Sequence, residues 1–143
     1  MEILLAANLA KAVSARVLYA RGDLHGAIEQ LGHLRIDPTH RTHYSAIFAQ
    51  VVDRFFLAEL LEKAGRHGES LAAYSSVGDY STDGLAYMPT SHLRRGDIYL
   101  KMGERERAAA HYARFVDLWK DCDQNLVQLR NAAQAKVAQL RGE

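Results

Sequence analysis

Residues that cross-link or interrupt a chain are scarce in this sequence. Its 143 residues include two prolines and one cysteine, Cys122. A single cysteine cannot form an internal disulfide, which fits a reducing compartment and favours a cytoplasmic protein. Because two prolines leave long stretches free for helix, we expect one helical domain, which at this length buries about 70% of its unfolded surface.

Neither sign of charge dominates the sequence, and long hydrophobic runs are missing. The formal net charge is +1, with acidic and basic residues interspersed, so no basic tract predicts binding to nucleic acid or to a membrane surface. No segment approaches the ~20 apolar residues of a membrane span. The apolar first ten residues lack a basic leader region and continue as an amphipathic helix, so we interpret them as structure.

Catalytic and cofactor-binding motifs are also missing. The sequence has no glycine-rich phosphate loop, paired-carboxylate motif or nucleophile elbow, and nothing orients His111 as a base for Cys122. His40 and His43, near Asp37, form the one local metal-like cluster, without a further spaced ligand pair. We therefore expect no enzyme and no cofactor. A metal-binding protein or enzyme that uses His40 and His43 is the alternative.

What the sequence does contain is one pattern of residue sizes, repeated around Gly22, Gly65 and Gly103. Small residues stand seven before and five after each glycine, large ones four before and nine after, and an apolar one twelve after. In chain order these positions are Ala15, Leu18, Ala27, Leu31 and Leu34, then Ala58, Leu61, Ser70, Tyr74 and Val77, then Gly96, Tyr99, Ala108, Tyr112 and Phe115.

These offsets predict pairs of antiparallel helices. Spacings of three and four place residues on one helix face. Each glycine ends a first helix because glycine adopts the left-handed conformation at low cost. Asp23 and Glu104, directly after two of the glycines, favour the start of a second helix. Such a pair cannot bury its own apolar face, so it must stack on its neighbours.

The pattern resembles the tetratricopeptide repeat (TPR) over almost the whole chain, and residues 92–120 follow the family spacing throughout. The segment from Leu93 to Asp121 further resembles the last repeats of large bacterial regulatory proteins, which often carry a Ser/Thr kinase or signalling domain upstream. The resemblance implies an all-α fold: a right-handed superhelical stack of three TPR-like antiparallel helix pairs plus a C-terminal capping helix, seven helices in all. The family's tryptophan is replaced by Lys11, Arg54 and His92.

The pattern also predicts boundaries within one domain, residues 1–143. Repeat 1 covers about 2–36, repeat 2 about 38–78, repeat 3 about 88–120, and the capping helix about 122–141. The predicted helices are 2–20, 23–35, 38–64, 67–77, 89–102, 104–120 and 122–140. Asp37 and Pro38 indicate the start of the long third helix, and Asp121, with Gln124 three residues later, predicts the N-cap of the last.

The two ends of the array differ in pattern. The last helix combines one apolar stripe with one polar face, as a terminal cap requires. The first helix has a broad apolar side and no comparable cap. Its apolar residues are Ile3, Leu4, Leu5, Leu9 and Val13. Either further repeats precede this helix in a longer chain, or a second copy covers it.

The resemblance also implies a binding surface, because the first helices of TPR pairs line a concave groove. The groove candidates are Arg16, Tyr19, Phe55, Glu59, Lys63, Arg94, Asp97 and Lys101. Mixed charges and two aromatic rings suit an extended or helical peptide, although solvated surface charges and partly buried rings give the same pattern. We therefore expect a non-catalytic scaffold, an adaptor or regulatory module that binds another protein or a peptide.

A second surface candidate lies on the predicted third helix, whose apolar face is wider than one stacking seam requires. It consists of Tyr44, Ile47, Phe48 and Val51. Such a face is either core or a self-association patch. A homodimerisation module of a larger bacterial signalling protein is accordingly the alternative function.

Overall fold

The computed structural model describes residues 2–35, 50–78 and 82–142, and within these ranges the chain is helical, without a β-strand. The α-helices are α1 (Glu2–Ala20), α2 (Leu24–Gly32), α3 (Val51–Lys63), α4 (His67–Ser75), α5 (Met88–Lys101), α6 (Arg105–Leu118) and α7 (Val127–Arg141). Short 3-10 helices follow at Ser76–Gly78, Thr82–Ala86 and Gln124–Leu126. The all-α prediction is confirmed for this part of the chain. None of these helices combines the length and apolarity that crossing a bilayer requires.

Three turns of the same construction join α1 to α2, α3 to α4 and α5 to α6. Gly22, Gly65 and Gly103 adopt left-handed backbones, with φ of 87°, 72° and 78°. In each turn the glycine N–H donates to the carbonyl three residues earlier, and the next N–H donates to the carbonyl five residues earlier, at 2.9 Å. These two bonds define a Schellman motif, whose left-handed residue favours glycine. The predicted role of the three glycines is confirmed.

Two compact units make up the chain, residues 1–86 and 87–143. In the first unit α1 packs on α2, α3 packs on α4, and α2 packs on α3. The core is built from the residues that the repeat pattern singles out, with their apolar neighbours. Its buried members are Ala15, Ala27, Ile28, Leu31, Leu60 and Leu61. The buried Ser70 hydroxyl donates to the Ala58 carbonyl at 2.8 Å, so α4 lies close against α3.

In the second unit α6 packs between α5 and α7. Position 96 requires glycine because α5 and α6 approach closely there: a Cβ atom at this position would lie 2.8 Å from the Tyr112 ring. The core consists of Ala108, Tyr112, Phe115, Ala133 and Val137. Helix α7 thus packs apolar residues on α6, and its role as the cap of an array stays a prediction.

The structure corrects two predicted helix starts. One continuous helix over 38–64 is wrong, because Gln50 has a left-handed backbone (φ 51°, ψ 36°) and α3 begins at Val51. A left-handed residue cannot continue a right-handed helix, and it costs a non-glycine residue roughly 1–2 kcal/mol. The N-cap at Asp121 is also wrong: the extended Asp123 precedes a 3-10 turn, and α7 begins at Val127.

Candidate protein-binding surface

A strip of charged and aromatic side chains joins α1 to α3, and we refer to it as the α1–α3 strip. It consists of Arg16 and Tyr19 on α1 with Asp53, Phe56 and Lys63 on α3. Arg16 Nη1 lies 2.6 Å from Asp53 Oδ1, and its guanidinium lies 5.2 Å from the centre of the Phe56 ring. The Tyr19 and Phe56 rings pack edge-to-face, with their centres 5.6 Å apart. Lys63 Nζ lies 4.9 Å from the Tyr19 ring centre and donates to the Tyr19 hydroxyl.

These contacts fix the strip's side chains, of which Arg16 and Lys63 are exposed and the other three are half-buried. An exposed cation–ring contact contributes about 0.5–1 kcal/mol, and an edge-to-face ring pair about as much. Arg16 uses Nη1 for the Ala12 carbonyl and for Asp53, and its side chain is 42% exposed. Within the described residues its Nε and Nη2 form no hydrogen bond. Those donors can therefore meet a carboxylate, beside ring surface that can pack on an apolar side chain.

The structure brings together some of the predicted groove residues and separates another. Arg16, Tyr19 and Lys63 meet in the strip, and Glu59, half-buried, lies one helix turn from Phe56 and from Lys63. Phe55 is buried instead and packs edge-to-face on Tyr74 at 5.2 Å. The ring of the next residue, Phe56, takes its place on the strip. A shift of one residue rotates a side chain by about 100° around a helix, so Phe55 and Phe56 lie on different sides of α3.

In the second unit Asp97, another predicted groove residue, holds the helices together. Its Oδ1 accepts hydrogen bonds from the Tyr112 hydroxyl at 2.7 Å and from Lys136 Nζ at 2.8 Å. Lys136 also lies 4.6 Å from the centre of the Tyr112 ring. Burial, followed by the bond to Asp97, raises the pKa of the Tyr112 hydroxyl above its usual range. The predicted neighbours Arg94 and Lys101 are exposed on α5.

A histidine pair lies between α5 and α6, and the sequence did not predict it. The Nδ1 atoms of His92 and His111 are 2.9 Å apart, and Tyr99 stacks on the His111 ring at 5.3 Å. Burial, and then the charge of Arg95, lowers the pKa of both imidazoles, that of His111 to about 4. Both rings are therefore neutral at pH 7, and one Nδ1–H can donate to the other Nδ1. In the sequence, only the distances of these two histidines from Gly103, where the predicted helix pair turns, could have indicated that they meet.

Metal ligands do not gather in this part of the structure. Across residues 2–35, 50–78 and 82–142, no group of three or more His, Cys, Asp or Glu side chains is placed to hold a metal ion. The predicted cluster of Asp37, His40 and His43 lies outside the described residues. Cys122 is a half-buried free thiol.

A separate open cleft of about 320 Å³ lies among α2, α3 and α4. Its floor is apolar, with Ile28, Leu57 and Leu61, and its rim carries Arg66 and Glu69, which form a two-bond ion pair. No strip residue lines it. The cleft is large enough for one big side chain, but Glu69 occupies two donor nitrogens of Arg66, whereas Asp53 occupies only Nη1 of Arg16. The α1–α3 strip is therefore the better candidate site.

Comparison with protein-family models gave no match, and neither did comparison with curated proteins.

Proposed function

We propose that this protein is a non-catalytic scaffold of the tetratricopeptide kind, which binds another protein or a peptide segment through the first helices of its pairs. In this proposal the pairs stack as a right-handed superhelix. The observation that carries the proposal is the α1–α3 strip. It presents cations and aromatic rings in fixed positions on two neighbouring first helices, where the family resemblance implies a groove.

The chemistry of the strip favours one class of ligand, a segment that combines a carboxylate with an aromatic or aliphatic side chain. The carboxylate would meet the Arg16 guanidinium in a charge-assisted hydrogen bond, and the apolar group would pack on Phe56 and Tyr19. Because the rings and cations already hold each other, binding costs little side-chain ordering. A short peptide on this strip should bind with micromolar affinity, since few side chains carry the contact.

Selection from a displayed random peptide library tests this proposal, because the library samples many ligand chemistries at once. We expect enrichment of peptides in which an acidic residue lies beside an aromatic or aliphatic one. Arg16→Glu with Lys63→Glu should weaken the selected peptides at least tenfold in fluorescence anisotropy. Lys120→Glu with Arg141→Glu makes the same change of charge at exposed sites outside the strip and should retain wild-type affinity.

Two results of this selection would refute the strip as the site. One is the absence of any enriched motif. The other is equal binding by the strip variant and by the matched control, with both folded by circular dichroism.

The alternative function, a self-associating module of a larger bacterial signalling protein, stays a prediction. Of its predicted patch, Val51 is fully buried and cannot contribute to an outer surface, and Tyr44, Ile47 and Phe48 lie outside the described residues. Self-association is nevertheless favoured by a different observation, the exposed apolar face of α1. A metal protein built on His40 and His43 stays a prediction without a supporting observation.

A further inference from the structure

Helix α1 exposes an almost entirely apolar face. Its residues Leu9, Val13 and Val17 follow one another at intervals of four, on one side of the helix, and Val13 is 62% exposed. The surrounding exposed positions are alanines, apart from Ser14 and Arg16. These alanines are Ala6, Ala7, Ala10 and Ala20. No acidic residue stands between positions 4 and 20. An uninterrupted apolar face of this kind marks an interaction surface.

The repeat register indicates what kind of element fits this face. Counted from the glycine that ends each helix, Val13 and Val17 correspond to Phe56 and Leu60 of α3. Leu60 is fully buried in the core shared with α2, and Phe56 packs against the same core. At these two positions α3 is thus covered by the preceding helix pair, whereas Val52, the counterpart of Leu9, is 47% exposed. By this equivalence the α1 face has the residue pattern of a surface on which another helix packs.

We propose that a second copy of this chain covers the face, with the two α1 helices packed antiparallel about a two-fold axis at Val13. A two-fold contact needs a self-complementary surface, in which residue i meets j and j meets i. The α1 face has this symmetry. Leu9 and Val17 stand four residues on either side of Val13, and Ala6 and Ala20 stand seven on either side.

Charge is compatible with the same arrangement. Arg16 stands three residues after Val13, and Ala10 stands three before it, so each Arg16 faces an alanine of the second copy rather than a like charge. Arg16 also forms an ion pair with Asp53 within its own chain. Because Val13 and Val17 are not part of the α1–α3 strip, this proposal does not rest on the peptide-binding function.

The size of the contact sets the expected strength of the dimer. From Ala6 to Ala20 the face is about 21 Å long at 1.5 Å per residue. One helix pair of this length buries less than the roughly 1,200 Å² of a standard stable interface. The dimer should therefore be weak, with a micromolar dissociation constant, and monomer should dominate in dilute solution.

Sedimentation equilibrium of the full chain, from low to high micromolar concentration, measures this association. We expect the wild-type mass to rise from that of one chain towards that of two. Val13→Glu should remain monomeric at every concentration. Leu129→Glu, which alters a 42%-exposed leucine on α7, should dimerise like the wild type. A wild type that stays monomeric throughout, or a folded Val13→Glu variant that dimerises equally well, overturns the proposal.

Cysteine cross-linking tests the geometry separately. On a Cys122→Ser background, Val13→Cys lies on the proposed axis and should link to itself with a short thiol cross-linker. Leu9→Cys alone should link poorly, but it should link to Val17→Cys when the two proteins are mixed. Self-linking of Leu9→Cys as efficient as that of Val13→Cys would instead indicate a parallel or non-specific contact and would overturn the antiparallel arrangement.

Discussion

The histidine pair between α5 and α6 should make the second unit sensitive to acid. The pKa of His111 is lowered by burial to about 4, from an ordinary value of about 6.5. Above pH 6.5 the imidazole is neutral in both the folded and the unfolded chain, so it adds no pH dependence. Below pH 6.5 the unfolded chain binds a proton that the folded chain excludes, and stability falls until the pH reaches about 4.

The size of this effect follows from the two pKa values. With these two pKa values, the free energy of unfolding is about 2 kcal/mol lower at pH 5 than at pH 8, because the unfolded chain binds the proton more tightly. The His111 ring is half-buried rather than sealed from water, so solvent screening reduces this to about 1 kcal/mol. His92, whose pKa burial lowers in the same direction, adds to the loss.

Trp119 provides the assay, because it is the one tryptophan and packs on Phe115 at 4.8 Å within the second unit. Its fluorescence during urea denaturation reports the unfolding of this unit at pH 8 and at pH 5. We expect wild type to lose about 1 kcal/mol more than His111→Gln between these two values. The variant's own stability at pH 8 is the reference. Parallel losses in the two proteins would refute the reasoning, since background carboxylate titration is common to both.

Three further predictions concern packing and the ties between helices. Gly96→Ala should destabilise the second unit by about 1–3 kcal/mol in the Trp fluorescence assay, because the added Cβ meets the Tyr112 ring; an unchanged midpoint would show that the ring moves freely. Lys136→Met removes a hydrogen-bonded cation at the same ring and should cost about 1 kcal/mol by thermal denaturation, with the loss shrinking in high salt if the ion pair is responsible. Phe55→Ala should lower the free energy of unfolding by about 3–5 kcal/mol, and Phe56→Ala by distinctly less, because Phe55 is the more buried ring. Urea denaturation followed by circular dichroism measures both values, and equal losses would contradict the different burial of the two rings.

The sequence predicted the turns and the core well because both depend on local properties. A glycine that must be left-handed, and small residues that must lie where two helices touch, leave a signature at fixed distances along the chain. Gly22, Gly65 and Gly103 and the small residues around them carried this signature. Gln50 carried none, because a glutamine in the left-handed conformation is held there by tertiary contacts. Its Nε2, for example, donates to the Arg35 carbonyl at 3.0 Å.

The candidate site was predicted less completely because it is made of pairs that are distant in sequence. Arg16 and Asp53 meet only when two helix pairs stack, and neither residue type is informative alone. Phe55 and Phe56 are chemically identical and adjacent, so choosing between them requires knowing which ring packs on Tyr74 and which on Tyr19. One of the two partners of Asp97, Lys136, lies on α7, a helix that the sequence assigned to capping alone.

The ion pairs at the helix junctions have a consequence for how such an array can be rearranged. Arg16 and Asp97 both stand six residues before their glycines, yet they carry opposite charges, and each is bound by an opposite charge on a later helix, Asp53 or Lys136. Placing α7 directly after the first pair would set Lys136 against Arg16 and leave Asp53 without its cation. The sign of one charge at each of these two junctions therefore specifies which helix can pack there, so exchanging α3 and α7 would require the junction charges to change together.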